Sequence, residues 1–453
     1  MAGTTAGRSA EDGRTKFPLM NATVVAAIVA GGLTLIGTIA AQILGRNATN
    51  RATQAALERQ TSELNEQLRH QRVLLLNERF ATAVGQLGSE SSAVRLAGVY
   101  ALTTLADDWV ENRQTYVDVL CGYLRIPTDY PSDATPERVQ RAYAADREVR
   151  DTIIRVLTAH LQDDAVVYWK GLNFDFTGVI FDTGDFSGAN FSGGQVSFRL
   201  AKFPTGGVEF GHAKFSGGTV DFAGAEFSGG TVDFAGAAFS GAKVSFTDAA
   251  FSGGRVDFTD AAFRGGEVSF LRAAFSGGRV DFDHAAFTGG EVSFRIANFS
   301  GSKVSFALAT FSDGEVSFGA GFSGGEVSFA GAFFSGSKVL FIGAGFSGGE
   351  VRFAHAVFSG GWLDFAGAKF SGARVDFTGE FPGEFGSFRP AIIRDGVDIS
   401  GEPPGPISPR PKFSGGKVDF SNAQDWSVPP LFPWTDTPPP GVKLPKKEDQ
   451  SRA

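Results

Sequence analysis

From Phe215 onward, phenylalanine returns in alternating steps of seven and five residues, so the chain repeats every twelve: FSGGTVDFAGAE, FSGGTVDFAGAA, FSGAKVSFTDAA and onward to FSGGWLDFAGAK. The first part of the same region is simpler, with Phe176, Phe181, Phe186 and Phe191 spaced five apart. A period of five is neither that of a helix (3.6) nor of a plain strand (2.0). It fits a four-sided solenoid in which each side takes five residues and turns one large side chain inward. In the twelve-residue units a small or β-branched apolar residue stands two residues before nearly every Phe, as in Ala225/Phe227 and Val232/Phe234, and so shares its strand face. Two units close one coil of 24 residues, which gives about nine coils stacked roughly 4.8 Å apart. Each buried Phe contributes about 1.5–3 kcal/mol, and the paired glycines supply the corners. This repeat explains a composition of 45 Phe and 60 Gly beside only 5 Trp and 6 Tyr in 453 residues.

The outward positions beside each Val carry a second pattern. Arg is followed by Asp at 255/257, 279/281 and 374/376, and Glu by Ser at 267/269, 291/293 and 326/328, which avoids like charges along one strand. A 24-residue coil nevertheless stacks Glu267, Glu291 and Glu315, an unfavourable ladder. A twelve-residue coil would alternate the signs but has no room to enclose two phenylalanines, so 24 is the expectation.

Residues 17–45 contain no charged side chain, and 22–44 is long enough to cross a hydrocarbon core of about 30 Å. Lys16 and Arg46 bracket the run, which is longer than the apolar part of a secretory signal. The expectation is a transmembrane helix over residues 21–45, in contact with the lipid bilayer, after a disordered N-terminus over 1–20. Arg8, Arg14 and Lys16 precede it and Arg46, Arg51 and Arg59 follow it, so the charge rule barely discriminates orientation. Gly37, Ala41 and Gly45 read as ordinary membrane-helix composition, with close helix approach as the second reading.

Residues 46–165 read as a helical neck. Leu57, Thr61, Leu64, Leu68, Gln71 and Leu75 form an imperfect heptad seam, one buried stripe of a long helix or a homodimer contact. Phe80, Val84 and Leu87 share a face, and Gly88 and Ser89 end that helix. Ser92 is the expected cap of a second helix carrying Val94, Gly98, Ala101, Leu102 and Leu105. A third helix spans about residues 115–124, before the interruptions at Pro127 and Pro131. A fourth starts with Thr135 as cap, Pro136 in the first turn and Glu137 behind it. Its apolar face (Val149, Ile153, Ile154, Val156, Leu157 and Leu161) is expected to cover the open end of the solenoid.

On these residues the chain resembles pentapeptide-repeat proteins, whose unit is A-(D/N)-(L/F)-x-x. Ala189-Asn190-Phe191-Ser192-Gly193 matches that pattern position by position. The neck stretch LNERFATAVGQLGSESSAVRLAGVYALTTLADDW resembles the helical segment preceding the repeats in actinobacterial membrane-anchored members. The resemblance covers about residues 76–388. It departs in the twelve-residue spacing and in a one-residue deletion at 319–322, where a kink is expected. It implies an all-β right-handed quadrilateral parallel β-helix over residues 172–400, behind the transmembrane helix and neck, with the repeats on the cytoplasmic side of the cell membrane. The lone Cys121 agrees with a reducing compartment.

Residues 401–453 form a Pro-rich tail with one further unit at 413–422. Trp426, Phe432 and Trp434 are suited to cover the last coil; Pro430 and Pro433 also make a PxxP pattern, a common one. Residues beyond Thr437 are expected to be disordered.

No catalytic, cofactor or metal residue is expected. His212, His284 and His355 occupy equivalent corners 72 and 71 residues apart, too far apart to share one ion. The Gly pairs neither open a helix nor precede Lys-Ser/Thr as a phosphate loop does, and Cys121 reads as packing. The function expected is a membrane-anchored, non-enzymatic scaffold for an unidentified protein partner. The alternative, implied by the resemblance, is an acidic mimic of DNA that binds a topoisomerase such as DNA gyrase. Nucleic acid itself is not an expected partner, since the net charge is −8.

Overall fold

The computed structural model describes residues 22–128 and 136–377, and beyond these the short stretches 393–394, 397–398, 412–413, 417–423, 429–430, 432, 437–438 and 442–445. The expectations for residues 1–20, Pro131, Thr135, Trp426, Trp434 and residues 446–453 fall outside them, whereas the disorder expected beyond Thr437 is corrected at Val442–Lys443, a strand paired with Val418 and Asp419. The chain divides into two compact units, Met1–Asn77 and Glu78–Ala453.

The first unit is built on a helix, α1, that runs unbroken over Ala22–Leu87 into the second. Within it Ala26–Asn47 is long and apolar enough to cross a membrane. Its hydroxyls are spent inside the helix: Thr34 Oγ1 donates to Ala30 O and Thr38 Oγ1 to Thr34 O, both at 2.9 Å. Further along, Leu57, Leu64, Leu68 and Leu75 are 54–61 % exposed.

The second unit begins with the last turns of α1, followed by α2 (Ser92–Asp108), α3 (Arg113–Leu124) and α4 (Glu137–Ala159). Gly98 lets α2 cross the end of α1, because a Cβ there would lie 2.6 Å from Leu87 N and 2.9 Å from Ala83 O. Two helix starts differ from expectation by one residue. Ser91 rather than Ser92 is the N-cap of α2, its carbonyl accepting from Arg95 N at 2.9 Å. Pro136 is the N-cap of α4 rather than its first helical residue, because its ψ of 139° is still extended. Arg150 ties α4 to the end of α3 by donating to Leu124 O (2.8 Å), Ile126 O (2.6 Å) and Asp146 (2.7 Å). Trp169, fully buried, stacks on His160 at 4.1 Å and donates to Asp107 at 2.9 Å, closing the helical region against the first coil.

From Phe174 the chain is a parallel-strand β-solenoid of about nine turns. The register settles the coil length: Val196, Val220 and Val244 pair in sequence, as do Val232, Val256 and Val280, each 24 residues from the next. The geometry is compatible with a pentapeptide-repeat fold. Four columns of Phe run up the interior. Neighbours within a column stack nearly parallel, as in Phe222–Phe246 (4.8 Å, 5°), Phe227–Phe251 (4.8 Å, 4°), Phe234–Phe258 (4.8 Å, 6°) and Phe239–Phe263 (4.9 Å, 3°). Across the middle, two opposite columns meet edge to face, as in Phe246–Phe258 at 5.9 Å and 88°. The backbone of each strand finds its partners in the coils above and below, so the core needs no polar groups.

The corner after the Phe of a Val-centred strand is a turn closed by a bond such as Ala201 N to Phe198 O (3.1 Å). Its third residue has positive φ. Glycine fills that place at Gly224 and Gly236, but nine other residues, among them Leu200, His212, Asp248 and Ile296, hold it with φ of 56–59°. The deletion at 319–322 removes one such residue. Ala320 N now donates to Phe318 O at 2.7 Å, a three-residue turn in place of four. The column continues through it, with Phe318–Phe341 at 5.1 Å and 13°, so the expected kink is absorbed at a single corner.

The two ends are covered by different means. A stripe of α4 faces the first coil: Tyr143 and Arg147 reach Asp182, Asp151 accepts from Thr183 (2.7 Å), Ile154 packs over Gly184, and Thr158 donates to Asp185 O (2.8 Å). Ile153 and Leu157 are fully buried, but they share the neighbouring helix face with Arg150 and His160, which turn toward α2 and α3. At the other end Lys417–Asp419 pairs onto Trp362–Asp364, Val442 pairs onto Val418, and Phe432 stacks on Phe377 at 5.6 Å.

Candidate interaction surface

Because the inward residues are nearly the same in every coil, differences between coils are confined to the outward ones. Two opposite sides carry the Val-centred strands, and their outward columns differ in charge.

On one side, the arginine face, successive strands are Thr231–Asp233, Arg255–Asp257, Arg279–Asp281 and Lys303–Ser305, continued by Glu326 and Glu350. Arg255 reaches Asp257 (2.7 Å) and Asp281 (3.0 Å), and Arg279 reaches Asp281 (2.6 Å). These two arginines lie over Asp281, whose side chain is 1 % exposed. Higher up, Arg352 joins Glu326 (2.8 Å) to Glu350 (2.6 Å). The hydrogen bond from Arg352 holds the Glu350 carboxyl below its ordinary range.

On the other side, the glutamate face, the column runs Thr219, Lys243, Glu267, Glu291, Glu315, Lys338 and Trp362. Its companion column is Ser245, Ser269, Ser293 and Ser317, which offers no countercharge. Lys243 pairs with Glu267 at 3.0 Å. Among the described residues no cation lies within 4 Å of Glu291 or Glu315. The expected acidic ladder is therefore present.

The remaining sides are small and uncharged over much of their length, with Ala238, Ala262 and Ala286 pointing outward in one column. That column changes near its C-terminal end to Phe333 and Val357, and Leu340, Ile342 (49 % exposed) and Trp362 (44 % exposed) lie on nearby coils. In the sequence these stand as departures from the Ala and Ser consensus.

His212, His284 and His355 occupy equivalent corners, His212 exposed and the other two half-buried. Among the described residues no three His, Cys, Asp or Glu gather as a metal site would require. Cys121 is buried on α3, and burial pushes its thiol far above the usual range. A cleft of about 520 Å³ separates α4 from the first coils, lined by Asp151, Arg155, Thr158, Asp185 and Glu209 among others. Partial burial, together with Asp233 and Asp185 nearby, raises the Glu209 carboxyl. Neither the cleft nor this carboxyl was visible in the sequence, because both arise where a helix crosses a coil distant from it along the chain.

No family model, curated protein or solved structure matches the chain.

Proposed function

We propose that this chain is a membrane-anchored, non-enzymatic scaffold of the pentapeptide-repeat type, held at the cell membrane by residues 21–45 and presenting its solenoid in the cytoplasm to a protein partner. The observation that carries this reading is the division of labour along the repeat. Inward positions hold Phe, Val and Ala in coil after coil, while the outward ones vary in charge and size. The exposed Leu57, Leu64, Leu68 and Leu75 add a face through which two copies would pair, since parallel helices bury such a seam.

The reading as a DNA mimic is weaker, because phosphate-like acidity needs uncompensated charge over a long surface. Here Arg255, Arg279, Arg352 and Arg374 each sit against carboxylates of their own face.

The test is to express the full chain and a form lacking residues 1–45. The full chain should stay with membranes through an alkaline wash, and its solenoid should resist protease in intact cells but not in lysed ones. The truncated form should be soluble. Cleavage in intact cells would place the repeats outside, and a soluble full chain would remove the anchor. Gyrase supercoiling should proceed unchanged in the presence of micromolar chain; inhibition would favour the mimic.

A further inference from the structure

The signs in the Val-centred strands alternate every twelve residues (Arg255, Glu267, Arg279, Glu291, Lys303, Glu315), whereas the coil repeats every 24. The alternation therefore does not separate like charges within one molecule. It collects them into a basic column on one side and an acidic column on the opposite side. Stacking like charges about 4.8 Å apart is unfavourable for an isolated chain. On the arginine face the Asp side chains relieve it, but on the glutamate face Ser does not.

We propose that the solenoid binds a second copy of itself side by side, arginine face to glutamate face, the two copies related by translation alone. Opposed at one height are then Arg255 and Glu267, Arg279 and Glu291, Lys303 and Glu315, and finally Glu326 and Lys338. The signs reverse together at the fourth coil. Moving the neighbour one coil along the axis instead opposes Arg255 to Lys243 and Glu326 to Glu315, so charge selects a single register.

Strands on the two facing sides run in opposite directions. Bringing the charged columns together therefore requires a shift along the strands of about 7 Å, the distance between alternate residues. That shift sets Asp257 and Asp281 against the glycine corners at Gly265 and Gly289 rather than against glutamate. Among the four pairs, Lys303 keeps 72 % of its side chain exposed while lying 3.6 Å from Glu326 of the next coil, and Glu315, half-buried, has no cation within 4 Å among the described residues. A translational contact does not close on itself, so copies add at both sides and form rows. Translation is also a relation that identical chains in one membrane can adopt. The area is small and the contacts ionic, so the association is weak and salt-sensitive. The inference is independent of the scaffold reading, since a solenoid can form rows whether or not it also holds another protein.

The experiment uses the full chain in detergent micelles. Lys303→Cys and Glu315→Cys variants are prepared singly, mixed and treated with a short bifunctional maleimide, which spans the gap that a Lys–Glu pair fills and a direct disulfide does not, with the native Cys121 buried. The mixture should give a 303–315 cross-linked dimer, and a chain carrying both substitutions should give a ladder of multimers. Yield should fall roughly tenfold from about 50 mM to about 500 mM salt. No dimer in the mixture overturns the proposal; equal dimer from Lys303→Cys alone overturns it in favour of a two-fold contact between arginine faces. As a second readout, sedimentation should show that Glu315→Lys abolishes association and that adding Lys303→Glu to the same chain restores it. Failure of restoration in a chain with an unchanged circular dichroism spectrum also overturns it. Capture of a different protein partner is scored separately, so the two readings fail independently.

Discussion

Ile296 holds a φ of 58° at a corner where Gly224 and Gly236 serve in other coils, and the residue is 65 % exposed. A β-branched residue there is strained, at a cost of order 1–3 kcal/mol, and exposure leaves little packing to offset it. Ile296→Gly should therefore stabilise the solenoid by about 1 kcal/mol, the larger backbone entropy of glycine reducing the gain. Thermal unfolding of the two chains measures it, and an unchanged or lower midpoint would show that Ile296 packs usefully. Glu209 gives a pH-dependent counterpart. Its carboxyl is raised by partial burial and by Asp233 and Asp185, so the ionised form is disfavoured in the fold. The stability tied to its proton is present below the ordinary carboxyl range and is lost as pH rises through the raised value. Glu209→Gln should thus stabilise the protein at pH 7 and have no effect at pH 3; a denaturant titration at each pH reads the difference.

The elements differ in how far the sequence announced them. The solenoid was legible because Phe, Val and Ala recur at fixed steps and each step fixes which face is inward. Even the like-charge ladder that argued against a 24-residue coil proved to be a property of it. The helices were legible to within a residue or two, since Gly88 and Pro127 punctuate them. The facing of α4 was not. Ile153, Ile154, Leu157 and Thr158 are all buried or nearly so, and only the fold shows that Ile154 and Thr158 meet the coil while Ile153 and Leu157 share the face turned to the other helices. Hydrophobicity alone cannot separate adjacent buried faces of one helix. The sharper prediction follows: Ile154→Asp places an unpaired charge over the first coil and should cost more than about 3 kcal/mol. Limited proteolysis should then cut first around residues 172–190, and cleavage confined to other coils would show that α4 does not protect that end.

For the molecule as a whole, each coil touches only its neighbours, so its stability is close to a sum over coils and interfaces. Removing residues 243–266, one full coil, joins Ala242 to Glu267 in a register the neighbours already use. The shortened chain should fold, with the same corner geometry and a slightly lower unfolding midpoint; an insoluble product would mean that particular coils, and not the repeat, specify the fold. The corner at Phe318, Gly319 and Ala320 carries this further. A single missing residue is taken up there without disturbing the columns, so errors of copying within a unit need not propagate to the next. A chain built this way can lengthen or shorten by unequal duplication, and the distance between its helical cap and its far end becomes a ruler graduated in single strand spacings.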